Sequence, residues 1–210
     1  KGICTTYVHK ILNEGDKVTI NGPYGDFFYA DDDNDEIIMS ATGTGFAPIR
    51  SILYHMLDND IKKKTRFYFG SRTPDDLFLL DELKMFEEKL YDFKFMPVLS
   101  RASKEDGWDG DTGYINDSIK KYVDENTTYT AYLCGSPVVI AGVKEDLMNK
   151  GLKEEYIKFD EDFQTLSKEE VMNIIKRLVN FQINSKFKDD FLCFIVTDTN
   201  GRVPFGITHE

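Results

Sequence analysis

The chain has 210 residues, of which 41% are apolar and 30% are charged, and its formal net charge at pH 7 is −11. A chain of this length can bury one substantial core or two small ones. Sixteen Phe and eleven Tyr carry too much aromatic surface for a disordered chain. The negative charge argues against sequence-independent binding to nucleic acid or anionic lipid, because both attract positively charged surfaces.

Three widely spaced cysteines, Cys4, Cys134 and Cys193, bear on compartment and metal chemistry. An odd number cannot form a fully paired disulfide framework, and three thiols cannot supply a four-thiolate metal site. No window approaches the roughly 20 apolar residues of a membrane helix. We therefore expect a reducing, cytoplasmic setting, no membrane insertion and no metal site. The chain starts without Met or an apolar signal core, so we expect a fragment of a longer chain.

The first 29 residues have the pattern of the end of a β structure. Residues 17–20 alternate between polar and apolar, residues 21–25 form a turn, and residues 27–29 resume a strand. The polar residues 31–36 that follow are expected to form a solvated linker.

Between residues 37 and 163, short apolar runs alternate with segments of helical periodicity. Strands are predicted at 37–39, 67–69, 93–99, 130–133 and 156–159, and helices at 46–58, 75–89, 115–123 and 139–147. The second of these helices carries apolar residues at helical spacing, at Leu79, Leu80, Leu83 and Phe86. The alternation predicts an α/β fold, a doubly wound parallel sheet of about five strands with helices on both faces. Ligands of such sheets bind where the carboxyl ends of the strands meet.

Residues 164–210 break this alternation. Ser167 and Glu170 form a capping box that predicts a helix through about Asn180. The apolar run 191–196 predicts a strand, which an Asn-Gly turn joins to a second strand at 203–205. A two-stranded hairpin is marginal alone, so this helix and hairpin tail must pack on the body, on another chain or on a further domain.

The most informative stretch is residues 37–48, where a strand enters a Gly-x-Gly turn and Pro48 occupies an early helical position. Glycines let the backbone approach a pyrophosphate, and the new helix directs free N–H groups at it. Pro48 stands where the usual dinucleotide fingerprint has its third glycine. We expect valine at Gly45 to fill the pyrophosphate space and leave the fold intact, and the turn to need positive φ there. On this motif alone, a tight turn without a ligand remains the alternative.

Four motifs, in this order, resemble the ferredoxin–NADP reductase superfamily, and within it NADH-dependent flavin reductases such as the F subunit of sodium-pumping NADH:quinone reductase. They are Gly22-Pro23-Tyr24-Gly25, residues 42–48, Gly70-Ser71-Arg72 and Cys134-Gly135-Ser136-Pro137. The resemblance covers about residues 2–163. It implies that residues 1–29 end a flavin-binding β-barrel, that residues 30–163 form a pyridine-nucleotide-binding domain, and that residues 164–210 are an added tail.

The resemblance also implies a set of cofactor-binding residues. Gly43, Thr44, Gly45 and Pro48 would bind the pyrophosphate and the nicotinamide half of the cofactor. Gly135 and Pro137, in the loop after the fourth strand, belong to the same set of cofactor-binding residues. Cys134 would lie beside the reacting nicotinamide carbon as a packing and orienting residue. No neighbouring histidine can serve as a base, so we do not expect a thiol nucleophile. A small buried residue before a glycine turn is the alternative for Cys134.

The choice between NADH and NADPH depends on the residues after the third strand. Arg72 would reach the adenosine half, and in NADPH-dependent members a Ser-Arg pair, helped by a downstream Lys-x-Tyr, grips the 2′-phosphate. This chain has Ser100 and Arg101, but residues 108–114 supply acids and no Lys-x-Tyr. A 2′-phosphate needs several donors, so we expect NADH, with NADPH as the less favoured cofactor. An exposed loop charge is the alternative for Arg101.

The resemblance further implies FAD in the full-length protein. Gly2 and Thr5 match the flavin-pyrophosphate loop, and Phe163 matches the aromatic residue that covers the flavin ring, with a core Phe as the alternative. The Arg-x-Tyr-Ser/Thr motif of the flavin barrel is absent. The full-length protein is therefore expected to be an NAD(P)H-dependent flavin oxidoreductase, and this chain alone to be colourless and inactive.

The partners follow from the same resemblance. The resemblance implies NAD(P)H as a ligand and an electron acceptor or partner protein that is unknown. The protein could be located at the cytoplasmic face of a membrane complex. The 164–210 tail offers a surface through which an oligomer could form. The alternative is an interaction module that keeps the nucleotide fold and docks a partner through its tail.

Overall fold

The computed structural model describes residues 7, 9–18, 27–102, 105, 107–125, 128–160, 192–195 and 205–208, the last two segments by their backbone. The chain divides into two units, one formed by Asp26–Asp160 and the other by Lys1–Gly25 with Glu161–Glu210.

The unit Asp26–Asp160 is built on a parallel six-stranded sheet with the strand order β4-β3-β2-β1-β5-β6. The strands are β1 (Glu36–Thr42), β2 (Lys64–Ser71), β3 (Phe93–Leu99), β4 (Asp111–Thr112), β5 (Tyr129–Cys134) and β6 (Ile157–Phe159). The helices are α1 (Phe46–Asp58), α2 (Leu80–Lys89), α3 (Ile115–Tyr122) and α4 (Pro137–Asn149). The predicted α/β class and parallel sheet are confirmed.

The sheet has one strand more than the five predicted. The additional strand β4 contributes only two residues, which pair with Val98 and Leu99 of β3. A strand this short has no periodicity of its own, so it could not be read from the sequence.

The central strand β1 is buried from Ile37 to Ala41 without alternation. This pattern is typical of a parallel strand that is covered on both faces. The predicted first helix matches α1 at both ends, and the apolar residues at its helical spacing are buried against the sheet: Ile49, Ile52, Leu53 and Met56.

The second predicted helix is wrong at its start. Pro74–Asp76 forms a separate 3-10 turn with its own capping box, and the α-helix begins only at Leu80. Leu79 separates the two with a left-handed φ of 56°, which an α-helix cannot continue through. Leu79 and Leu80 are therefore exposed, at 45% and 42%, instead of facing the core.

The predicted strand at 27–29 is also wrong, and residues 17 and 18 lie in no strand. Side-chain contacts hold this segment instead: the backbone N–H of Ala30 donates to Tyr132 Oη over 2.9 Å, and the ring of Phe27 packs edge-on against Tyr132. Residues 19–26 lie outside the described residues.

Within the second unit, the predicted hairpin strands pair antiparallel, as β7 (Leu192–Ile195) and β8 (Phe205–Thr208). The structure describes the second strand as Phe205–Thr208, which overlaps the predicted 203–205 at Phe205. The capping box at Ser167 and Glu170 lies outside the described residues.

The linker before β1 is only in part the solvated loop that its composition predicted, because Asp31, Asp33 and Asp35 are exposed but Asp32 and Asn34 are not. The ammonium of Lys63 lies 2.8 Å from Asp32 Oδ1, Thr130 Oγ1 donates to Asp32 Oδ2, and the backbone N–H of Asn34 donates to Asp32 Oδ1 over 3.1 Å. Burial raises the pKa of the Asp32 carboxyl, but the hydrogen bonds from Lys63, Thr130 and Asn34 and the charge of Lys63 outweigh it and lower the pKa. This cluster ties the linker to the amino edge of the sheet.

Replacing Asp32 by asparagine is expected to lower the free energy of unfolding by about 2 kcal/mol at neutral pH, because Lys63 then loses its half-buried partner. The lowered pKa means that the carboxylate stabilises the fold fully above its ordinary pKa of 3.8. This contribution is lost as the pH falls through the lower native pKa. Urea denaturation at pH 7 and at roughly pH 3 measures the difference between wild type and variant, which should shrink at the acidic pH.

The control is Asp60→Asn, which removes an exposed ion pair to Lys62 and should leave stability unchanged. Equal losses in the two variants would show that the linker cluster does not stabilise the fold. A loss for Asp32→Asn that persists in full at the acidic pH would show that the charge of Asp32 is not what stabilises it.

Candidate functional site

Four adjacent strands, in the order β3-β2-β1-β5, end at the same edge of the sheet. β1 continues into the 3-10 turn Gly43–Gly45, β2 into Arg72, β3 into Ser100 and β5 into Gly135. The chain builds β2 to β4 on one side of β1 and β5 and β6 on the other. A reversal of this kind opens a crevice at the carboxyl ends of the central strands, where ligands of doubly wound sheets bind.

A cleft of about 500 Å³ opens at this edge. Its lining residues come from the ends of β1, β2 and β3, the 3-10 turn Pro74–Asp76 and the starts of α3 and α4: Thr42, Gly43, Gly70, Ser71, Arg72, Asp76, Val98, Ser100, Gly113, Tyr114, Ile115, Asn116 and Val139. Gly43, Arg72 and Ser100 were predicted for the cofactor site, and the cleft brings them together.

Other predicted residues lie near this cleft without lining it. Thr44 and Pro137 are exposed, Pro48 is half-buried in the first turn of α1, and Gly45 and Gly135 are buried between the loops. The sequence analysis missed Asp76, Tyr114 and Asn116. Phe163, Gly2 and Thr5 lie outside the described residues.

Two helices begin at this edge, and the 3-10 turn Gly43–Gly45 runs directly into the first of them, so that the Phe46 N–H donates to the Gly43 carbonyl. α1 starts after Gly45 and α4 after Ser136, and neither has a side-chain hydrogen bond at its cap or an acidic residue in its first turn. The first N–H groups of a helix lack intrahelical acceptors and carry the positive end of its dipole. This edge therefore favours a bound anion such as a pyrophosphate.

Gly43 and Gly45 have different structural roles, because Gly43 borders open space and Gly45 lies in a close contact between two loops. Gly43 has a left-handed φ of 52°, and a Cβ built on it meets no atom within 4 Å, so it faces open space. Gly45 has φ −59°, and a Cβ on it would lie 2.7 Å from the carbonyl oxygen of Cys134. The expected positive φ therefore belongs to Gly43. The expectation that the fold tolerates valine at Gly45 is wrong, because Gly45 lets two loops touch.

Cys134 ends β5 with only 2% of its surface exposed. Its thiol donates to Asp160 Oδ2 over 3.8 Å. Burial, followed by the charge of Asp160 and the hydrogen bond to it, raises the pKa of the thiol to about 12. The thiol is therefore protonated at neutral pH, which fits a packing role and no nucleophile. No local pattern in the sequence points to Asp160, which directly follows β6 and lies beside the end of β5.

The arginines of this edge differ from the others that the structure describes. Arg50 and Arg66 are each paired with a carboxylate. Within the described part of the chain, Arg72 and Arg101 are in no ion pair, and the backbone N–H of Arg101 donates to the Arg72 carbonyl over 2.8 Å. In a chain of net charge −11, two unpaired guanidinium groups therefore follow neighbouring strands at the cleft.

Asp76 places a negative charge beside these arginines. Its Oδ2 accepts hydrogen bonds from Thr73 Oγ1 over 2.9 Å and from the Thr73 backbone N–H over 3.0 Å. These bonds, with a smaller effect of the charges of Arg72 and Arg101, lower the pKa of the Asp76 carboxyl. The cleft lining thus combines the cation of Arg72 with an ionised carboxylate, and Arg101, a predicted site residue, follows the lining residue Ser100 without lining the cleft itself.

Two further properties concern the whole described part of the chain. Among the described residues, no group of three or more His, Cys, Asp or Glu side chains is placed to hold a metal ion. No helix in the same residues is both long and apolar enough to cross a membrane.

A family model described as the oxidoreductase NAD-binding domain matches residues 39–145, just over half of the chain. The chain belongs to this family. The matched residues of this NAD-binding domain run from β1 to α4 and contain the cleft, which confirms the superfamily indicated by the four motifs.

Similar proteins are larger than this chain. The F subunit of the Na(+)-translocating NADH-quinone reductase of Histophilus somni is 36% identical over 157 residues, which cover 71% of this chain and 38% of that protein. The phenol hydroxylase P5 protein of Acinetobacter pittii is 33% identical over 157 residues, which cover 73% of this chain and 44% of that protein. The chain thus spans about two fifths of the length of these relatives.

Solved structures show the same fold. The cytochrome P450 reductase GcoB of Amycolatopsis has a TM-score of 0.60 and 25% identity, covering 66% of this chain and 41% of its own. The FAD/NAD-binding domain of the nitric oxide dioxygenase of Vibrio cholerae has a TM-score of 0.62 at 20% identity. The match covers 76% of this chain and 64% of that domain.

Proposed function

We propose that this NAD-binding domain holds NADH for hydride transfer to an FAD of the full-length protein, which passes electrons on to an acceptor. The observation that carries the proposal is the cleft at the carboxyl ends of β1, β2 and β3. Gly43, which faces open space, and Arg72 line this cleft. Arg101 directly follows the lining residue Ser100, and α1 begins three residues after Gly43.

The backbone of the turn Gly43–Gly45 and the first turn of α1 would bind the pyrophosphate, because their N–H groups and the helix dipole stabilise negative charge. Arg72 and Arg101 would hold the adenosine half by charge-assisted hydrogen bonds. The FAD residues proposed from the sequence remain Gly2, Thr5 and Phe163.

The Cys134–Gly135 loop lies beside the end of β1, on the other side of the turn, and would face the nicotinamide. A neutral buried thiol supplies an uncharged wall there. The contribution of this chain is to orient the nicotinamide, since positioning two reactants can supply about 7–11 kcal/mol of a barrier. When bound, the flavin would accept the hydride.

The comparisons support two parts of this proposal. A relative named as an NADH-quinone reductase subunit supports NADH and a membrane complex as the partner. The fold shared with an FAD/NAD-binding domain is compatible with a flavin in the full-length protein.

The preference for NADH over NADPH is supported by Asp76, whose carboxylate would repel a dianionic 2′-phosphate beside Arg72 and Arg101. Calorimetry with ADP-ribose and with its 2′-phosphate tests it on this chain. We expect ADP-ribose to bind at least as tightly, and Asp76→Asn to improve binding of the phosphorylated ligand. A phosphorylated ligand that binds wild type tenfold tighter, about 1.4 kcal/mol, would assign NADPH instead and Arg101→Gln should then remove that gain.

Hydride transfer is tested separately by assaying NADH oxidation with ferricyanide. The purified chain is expected to show no flavin spectrum and no turnover, while it still binds ADP-ribose. The full-length protein should be yellow and active. A stoichiometric flavin complex of this chain would place the flavin site inside these residues, and a full-length protein that binds no nucleotide would favour the interaction module.

A further inference from the structure

The stretch of chain before β1, residues 27–34, lies along one face of β5, and we call it the entry segment. Thr130, Tyr132 and Cys134 are alternate residues of β5, and alternate residues of a strand share a face. Thr130 and Tyr132 both make hydrogen bonds to the entry segment. The same face of β5 therefore carries the contacts of this segment and, at its carboxyl end, Cys134.

The contacts give the entry segment a direction along β5. At its start, the ring of Phe27 meets the ring of Tyr132 edge-on, with the ring centroids 6.0 Å apart. At its end, Asn34 Nδ2 donates a hydrogen bond to Thr130 Oγ1 over 2.9 Å. The segment therefore starts beside the carboxyl half of β5 and runs toward the amino edge of the sheet.

Tyr132 holds the backbone of the entry segment at a single residue. Its hydroxyl oxygen accepts a hydrogen bond from the Ala30 N–H over 2.9 Å and donates to the Ala30 carbonyl over 3.4 Å. The residue has 0% of its surface exposed, so no water replaces these bonds. Burial raises the pKa of Tyr132 to about 12, so the hydroxyl keeps the proton that it donates.

This contact lies close to the nicotinamide end of the proposed site. Cys134 follows Tyr132 by two residues, which is about 7 Å along a strand. The chain before Phe27 contains Gly2 and Thr5, which are proposed for FAD. Tyr132 thus connects the chain that leads from these flavin residues to the strand that ends at the proposed nicotinamide wall.

We propose that Tyr132 is a positioning residue for hydride transfer, because it fixes the point at which the flavin-bearing chain enters the NAD-binding domain. This inference rests on the proposed function, in which NADH gives a hydride with its two electrons to the oxidised flavin and leaves as NAD⁺. Tyr132 acts through Ala30 and Phe27 and lines no part of the nucleotide cleft. Misplacing two reactants by about 1 Å can cost roughly hundredfold in rate, whereas nucleotide affinity does not depend on the entry segment.

Hydrogen exchange of the Ala30 amide in the purified chain tests the contact itself. Tyr132→Phe removes the hydroxyl, so this amide should exchange about tenfold faster than in the wild type, the effect of losing one hydrogen bond. Tyr129→Phe is the matched control. Tyr129 is buried on the same strand, and its hydroxyl has no hydrogen-bond partner among the described residues, so exchange at Ala30 should stay unchanged.

Stopped-flow reduction of the flavin by NADH in the full-length protein tests the role in hydride transfer. Tyr132→Phe should lower the limiting rate about tenfold, within the range that misplacement causes. The NADH concentration that gives half of this rate, and the flavin content, should stay at their wild-type values. Tyr129→Phe should match the wild type in all three quantities, which separates positioning from a general loss of packing.

Phe27→Leu is the second variant, because Phe27 is only half-buried and its change removes the edge-on ring contact alone. It should lower the limiting rate in the same direction, and it decides the question if Tyr132→Phe no longer binds ADP-ribose and has therefore lost its fold. The proposal is overturned if the Ala30 amide exchanges equally fast in both tyrosine variants, or if the limiting rate of the folded variant equals that of the wild type. A wild-type full-length protein whose flavin NADH does not reduce would overturn the proposed function, and this role of Tyr132 with it.

Discussion

Valine at Gly45 is expected to lower the free energy of unfolding by about 3 kcal/mol, and the nucleotide plays no part in that loss. A Cβ at this position would lie 2.7 Å from the carbonyl oxygen of Cys134, 2.9 Å from its carbonyl carbon and 3.1 Å from the Gly135 nitrogen. These are backbone atoms at the end of β5, which is paired with β1, so they cannot move aside like a flexible side chain. Overpacking of a tight contact costs typically 1–3 kcal/mol, and valine adds two further methyl groups.

Urea denaturation measures the loss, with Gly45→Ala as a milder step in the same direction. Ala47→Val, two residues along the same segment and exposed, is the matched control and should change the unfolding free energy by less than about 0.5 kcal/mol. A Gly45→Val protein as stable as the control would mean that the two loops separate easily. A loss of nucleotide binding in that variant would then mean that the valine side chain occupies the space of the pyrophosphate.

The fold could be predicted where local periodicity determines it. The apolar spacing of residues 46–58 specifies a helix whose ends match the structure. The apolar run 37–39 marks a strand that the structure extends to Glu36–Thr42. Leu79 was misplaced because its helical spacing continues through a residue with left-handed φ, which separates α2 from the 3-10 turn Pro74–Asp76. Asp32 was misplaced because its partner Lys63 is remote in sequence and meets it only when the sheet forms.

The candidate site could be predicted where residues directly follow a strand. Gly43, Arg72 and Ser100 do so, and parallel strands bring their carboxyl ends together. Asn116 and Tyr114 reach the cleft because α3 begins beside it, a position set by the crossover from β4. Their only signal in the sequence was the Gly-Tyr pair before a predicted helix. The different tasks of Gly43 and Gly45 depend on a contact with a loop about 90 residues further along the chain, which no local pattern reports.

Asparagine at Gly43 is expected to weaken ADP-ribose binding about hundredfold and to leave stability nearly unchanged. Gly43 has a φ of 52°, a conformation that asparagine tolerates better than other non-glycine residues. A Cβ there meets no atom within 4 Å, so the folded chain has room for the side chain. That room is the cleft, and filling it would remove a charge-assisted hydrogen bond to the pyrophosphate, worth about 1.5–3 kcal/mol.

Gly151→Asn is the matched control, because Gly151 is exposed, also has a left-handed φ, of 101°, and follows the end of α4 away from the cleft. Calorimetry with ADP-ribose should find wild-type affinity in this control, and urea denaturation should find both asparagine variants within about 1 kcal/mol of wild type. Gly43→Asn binding ADP-ribose as tightly as the control would place the pyrophosphate elsewhere, because a side chain cannot share the open space beside Gly43 with a phosphate. Together with Gly45→Val, this variant separates the glycine that admits the nucleotide from the glycine that joins the loops.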